Sequence, residues 1–136
     1  LTIACSFGPG VALSVTNVST VIGVGLVKLH VLGNFSFLLC IYLVTSVLSC
    51  IVSNSATAVA FYSVLRNIEV EGVTSEQMMV TMVLGASSAF ATPIGYQTNL
   101  MVIGRGGYAF GDFLFLGGGL MVVLGCCVAA FCLILL

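Results

Sequence analysis

The chain has 136 residues, of which 60% are hydrophobic and only 5% charged, with a mean hydropathy of +1.30; a soluble globular domain carries roughly 25% charged residues. That balance excludes an ordinary soluble domain, and a net charge of -1 excludes a basic nucleic-acid surface. The charges fall at Lys28, at Arg66, Glu69, Glu71 and Glu76, and at Arg105 and Asp112. These positions read as membrane boundaries, with room between them for about four or five spans of ~20 residues.

Gly8 to Val27 is apolar and ends at Lys28 and His30; its inner polar residues, Ser14 to Thr20, predict a helix packed against protein on that side. Gly33-Asn34 reads as a turn. Phe35 to Val52 then forms an apolar run long enough to cross most of a bilayer core of about 30 Å. Polarity returns at Ser53-Asn54-Ser55, followed by Ala56 to Leu65 and a charged cluster; this second arm of about a dozen residues is roughly 18 Å long as a helix, too short to span. This spacing predicts a re-entrant helical hairpin with Ser53-Asn54-Ser55 at its tip inside the membrane.

After a polar loop from Glu69 to Ser75, with Ser75 as the expected N-cap, a helix is predicted from Glu76 to Phe90. It breaks over Ala91-Thr92-Pro93-Ile94-Gly95-Tyr96-Gln97-Thr98-Asn99 and resumes through Leu100 to Ile103. Hydrocarbon cannot hydrogen-bond a freed amide or carbonyl, so unwound backbone at membrane depth survives only where protein buries it or it lines a cavity. Gly104 to Tyr108 reads as a boundary loop. The last span runs from Phe113 to Leu136, where Gly117-Gly118-Gly119 permits a close helix approach or a kink. The fold class is an all-α membrane protein: a multi-span helical bundle with a re-entrant hairpin and a broken transmembrane helix. Beginning at Leu1 and ending in apolar residues, the chain reads as a portion of a longer protein.

The two non-helical tips carry the chemistry. Each ends one half-helix and begins another, so it offers amides of partial positive charge and carbonyls of partial negative charge. Carbonyls with Ser, Thr and Asn oxygens suit a hard cation such as sodium; amides and hydroxyls suit an oxyanion. No Asp, Glu, Lys, Arg or His lies within these elements. Desolvating an unpaired dianion is very costly, and a co-bound cation offsets that cost, which favours a sodium-coupled anion carrier. Cys5, Cys40, Cys50, Cys126, Cys127 and Cys132 lie in apolar runs without CxxC spacing and read as packing residues. His30 has no second ligand at helical spacing, and no nucleophile-base pair or metal cluster supports an enzyme.

Gly85-Ala86-Ser87-Ser88-Ala89-Phe90, running into Ala91 to Val102, then Gly106-Gly107-Tyr108 and Asp112-Phe113, resembles the divalent anion:sodium symporter family, in its citrate-transporter-like or sulfate-permease, sulfur-deprivation-response branch. The resemblance covers the whole chain, 1–136, as a C-terminal transport repeat, one half of an inverted-repeat transporter whose N-terminal repeat is not in this sequence. It implies that Ser53, Asn54, Ser55, Thr92 and Pro93 bind substrate and that Ser53, Asn54, Ala91, Gly95 and Asn99 hold sodium, the coupling ion; no other cofactor is expected. It also implies symport of a small divalent anion, sulfate before a dicarboxylate, by elevator-type alternating access, in a homodimer in the lipid bilayer of the plasma membrane. A membrane sensor of sulfur status that keeps the transporter fold is the alternative. Arg105 stands where relatives of this branch often have proline.

Overall fold

The computed structural model describes residues 33–66, 68, 70 and 72–135. The expected first helix, Gly8 to Val27, lies outside them. Among these residues five helices follow one another: α1 (Asn34–Ser49), α2 (Asn54–Leu65), α3 (Ser75–Ser87), α4 (Gln97–Gly106) and α5 (Phe110–Leu135). Among the described residues no strand forms; an isolated antiparallel bridge joins Val70 and Val73 across Gly72, whose φ of 85° is one that glycine adopts without strain.

Two clusters give the course of the chain. One gathers Phe37 and Leu38 from the start of α1, Phe61 and Leu65 from the end of α2, Met78 and Met82 from the start of α3, and Ala129 and Cys132 from the end of α5. The other joins Cys50 just after α1 with Ala89 just after α3 and Met121 in α5. Helices α1, α2, α3 and α5 therefore alternate in direction, and α1 with α2 makes an antiparallel helical hairpin. Its second arm has 12 residues.

The first end is closed by polar ties. The Asn34 amide donates to the Gly72 carbonyl at 2.9 Å, and Gln77 Nε2 donates to the Cys132 carbonyl at 3.1 Å. Helix α5, 26 residues long, is long and apolar enough to cross a membrane, and α1 is a shorter apolar helix. The buried face of α5 is Gly117, Met121, Gly125, Ala129 and Cys132, a nearly unbroken step of four with small residues at three positions, which lets neighbouring backbones come close. Gly117-Gly118-Gly119 stays helical, and the expected close approach is made at Gly117, whose Cβ position lies 3.0 Å from Ala91 Cα.

Several boundaries differ from those the sequence predicts. α1 stops at Ser49, because Cys50, Ile51 and Val52 turn back with amides bonded to Ser46, Val47 and Leu48 carbonyls. The N-cap of α3 is Thr74 rather than Ser75: the Gln77 side-chain oxygen accepts from the Thr74 amide at 2.9 Å, half of a capping box. α3 ends at Ser87, three residues before Phe90. Gly104, Arg105 and Gly106 belong to α4, which ends on Gly107 at φ 65°, a left-handed C-cap. α5 begins at Phe110, where Asp112 Oδ2 accepts from the Ala109 amide at 2.9 Å and so shields a first-turn donor.

Gly85 sets the spacing of α1 and α3. A Cβ there would come within 2.9 Å of the Tyr42 carbonyl oxygen and closer still to Thr45 Oγ1, and the Tyr42 backbone cannot yield without moving α1. Gly85→Ala is expected to destabilise the bundle by about 1–3 kcal/mol, read as a lower melting temperature in detergent; an unchanged melting temperature would contradict the close approach.

Candidate functional site

A helix that ends in buried surroundings leaves its last carbonyls without intrahelical partners. For α3 they are met by hydroxyls. Ser46 Oγ of α1 donates to the Gly85 carbonyl at 2.9 Å, Ser49 Oγ donates to the Ala86 carbonyl, and Ser88 Oγ donates to the Leu84 carbonyl at 2.8 Å. Ser46 and Ser49 are fully buried. The C-terminal end of α3 is thus fastened to the C-terminal end of α1, at the place where both chains leave the helix.

Ser49 also reaches the hairpin tip. Its Oγ lies 2.7 Å from Asn54 Oδ1, so the oxygens of Asn54 and Ala86 converge on one hydroxyl. Ser49 has a single proton to give to two acceptors. Asn54 is half-buried while Ser53 and Ser55 are exposed, and Ser53, the N-cap of α2, makes no side-chain capping bond. The first-turn amides of α2, the positive end of its dipole, are left without that shield.

The broken segment 88–96 meets the hairpin directly. Thr92 Oγ1 donates to the Cys50 carbonyl at 2.9 Å and accepts from the Gly95 amide at 3.2 Å. The Thr92 carbonyl in turn accepts from Asn99 Nδ2 of α4 at 3.3 Å. Pro93 is buried and Ala91, Gly95 and Asn99 are half-buried; Ala91 packs against the cluster of Cys50, Ala89 and Met121. The network therefore joins Thr92, Gly95 and Asn99 to the hairpin turn, while Ser53 and Ser55 stand at its edge. α4, whose N-cap Tyr96 also lacks a side-chain capping bond, carries the exposed apolar residues Leu100, Met101 and Val102.

The break is held from the other side by α5. A Cβ on Gly117 would lie 2.6 Å from the Phe90 carbonyl carbon and 3.0 Å from Ala91 Cα. Gly95 is similarly confined, its Cβ position 3.0 Å from the Ala89 carbonyl oxygen. Ser46, Ser49 and Gly117 are the residues that reading the sequence left among the apolar helices. Their signal was weak: hydroxyls five and eight residues before Asn54, and one glycine of three in the helical phase that reaches Met121 and Gly125. Among the described residues no three His, Cys, Asp or Glu side chains group as metal ligands.

The junction between the hairpin turn and the broken segment is neutral and rich in oxygens, those of Ser49, Asn54, Ala86, Cys50 and Thr92 among them. Over 115 residues, 83% of its length, the chain is 39% identical to a candidate sulfur deprivation response regulator of Chlamydomonas reinhardtii. It is 40% identical over 94 residues, 68% of its length, to an uncharacterized transporter of Synechocystis, and 33% identical over 132 residues, 92% of its length, to sodium/sulfate cotransporter 1 of Chlamydomonas reinhardtii. The chain belongs to the divalent anion:sodium symporter family. It spans 20%, 15% and 15% of the length of these three relatives. No family model matches it, and no solved structure does.

Proposed function

We propose that this chain is the C-terminal transport repeat of a secondary carrier that moves sulfate, or another small divalent oxyanion, together with sodium. The observation that carries the reading is the meeting of the Ser49, Asn54 and Ala86 oxygens around one proton. A hard cation joins such oxygens without needing hydrogens; otherwise the Asn54 amide must turn its nitrogen toward Ser49, an orientation that heavy atoms alone do not fix. Sodium dependence of transport separates the two.

In this reading α1 and α2 form the re-entrant hairpin, and α3 and α4 are the halves of one broken transmembrane helix. Ser53, Asn54, Ala91, Gly95 and Asn99 hold sodium through side-chain and backbone oxygens, with Ser49 beside them. Ser53, Asn54, Ser55, Thr92 and Pro93 line the anion, which faces the first-turn amides of α2. The cation supplies the charge that the neutral side chains lack. The packing of α1, α2, α3 and α5 around two shared clusters supports movement as one body, as an elevator requires, and a second copy would supply a stationary scaffold in the plasma membrane. The names of the relatives, transporters and a candidate regulator, favour a protein that is not an enzyme.

A sensor of sulfur status that keeps this fold is the second reading, favoured by the regulator relative. Radiolabelled sulfate uptake by the complete protein tests both: a carrier accumulates sulfate when sodium is present, and a sensor binds it without flux. Thr92→Ala is expected to shift the order of competition among sulfate, molybdate and succinate, because the loop loses its bonds to Cys50 and Gly95, each worth about 1 kcal/mol. An unchanged order would remove Thr92 from the anion site.

A further inference from the structure

Among the described residues two buried side-chain oxygens have no hydrogen-bond partner, Tyr42 Oη and Thr57 Oγ1. Tyr42 sits midway along α1 with its ring against Gly125 of α5, about two turns from Ser49. Thr57 is nearer the site: it lies in α2, three residues beyond Asn54, and is 3% exposed.

Residues three apart share a helix face, with Cβ atoms roughly 5–6 Å from one another, so Thr57 stands one turn below Asn54. A helical threonine commonly donates its hydroxyl to the carbonyl four residues back. Here the Ser53 carbonyl accepts the Thr57 backbone amide at 3.0 Å, and Oγ1 makes no such bond. The hydroxyl keeps its lone pairs uncommitted in a desolvated position, one helical turn from Asn54, whose Oδ1 meets Ser49 Oγ. An isolated orphan hydroxyl inside a helix pair is a penalty that valine, its near isostere, would not carry.

We infer that Thr57 Oγ1 is a further oxygen ligand of the coupling cation, completing from below the shell that Asn54 begins. The inference rests on the sodium-coupled reading above. Neutral hydroxyl, amide and carbonyl oxygens suit a hard, weakly charged ion, and a ligand on the second turn of α2 deepens that shell without adding charge that would repel the anion.

The test uses the complete protein in liposomes, with sulfate uptake followed against sodium concentration, and in detergent, with the melting temperature followed against sodium without sulfate. Thr57→Val is expected to raise the half-saturating sodium concentration about tenfold in both measurements. Its melting temperature in choline buffer should equal or exceed that of the wild type, since an unpartnered hydroxyl is exchanged for a methyl group. Thr57→Ser should restore wild-type sodium dependence, and Thr57→Ala repeats the loss should valine pack poorly. A purely structural role would instead lower the melting temperature in choline and leave the sodium requirement alone. Should the wild type need sodium while the valine and alanine variants keep its half-saturation, the inference fails and the transport reading stands. Should the wild type take up sulfate equally well without sodium, both fall.

Discussion

Asn54→Ala is expected to lower sodium-driven sulfate uptake by the complete protein about 100-fold or more, with the amount inserted in the membrane unchanged. The loss follows from chemistry at one point. Asn54 contributes the oxygen that meets Ser49 Oγ at 2.7 Å, and hydrogen-bonded or ionic contacts with a charged group in a desolvated site are worth about 1.5–3 kcal/mol each. The fold tolerates the change because Asn54 is half-buried at the start of α2, where alanine has the higher helix propensity. The packing of α2 comes from Ala56, Ala60, Phe61, Val64 and Leu65, none of which is altered. Uptake and surface abundance measured on the same cells decide the matter. Wild-type uptake would take the hairpin tip out of the mechanism.

Gly117→Ala should have a comparable effect by another route. The added Cβ is directed at backbone, the Phe90 carbonyl and Ala91 Cα, so no side chain can swing aside. Either α5 moves away or the segment 88–96 does, and the second shift carries Thr92 off the Cys50 carbonyl. Overpacking of this kind costs about 1–3 kcal/mol, and the displaced break should reduce uptake at least about tenfold. The adjacent glycines are built-in controls. A Cβ on Gly118 or Gly119 meets nothing within 4 Å, so Gly118→Ala and Gly119→Ala should leave uptake intact and raise helix stability by up to about 1 kcal/mol. Equal behaviour of the three variants would contradict the contact between α5 and the break.

The hairpin and the break were legible because each interrupts an apolar run with residues that hydrocarbon excludes. Ser53-Asn54-Ser55 and the twelve-residue arm behind it fixed the first; Thr92-Pro93 and Gly95 fixed the second. Helix ends were less legible, since apolarity reports membrane depth and says nothing of where the backbone turns. Cys50, Ile51 and Val52 are as apolar as the helix before them, yet they form the turn. The binding partners of Ser46 and Ser49 were hidden for a different reason. They are the Gly85 and Ala86 carbonyls, 39 and 37 residues away, and every residue has a carbonyl, so side-chain identity gives no sign of the pairing. Gly117 could have been separated from Gly118 and Gly119 by its step of four to Met121, Gly125 and Ala129, the spacing of a helix-packing stripe. Resemblance to the symporter family supplied the sodium and anion assignments, which composition and spacing left open between cation and oxyanion.

The central claim is that a site without formal charge accepts a divalent anion only alongside a cation. Its most direct measurement is binding of radiolabelled sulfate to the purified complete protein at constant pH and ionic strength, in sodium and then in choline buffer. Tight binding in sodium that vanishes in choline is the predicted result. Equal affinity in the two buffers would contradict it.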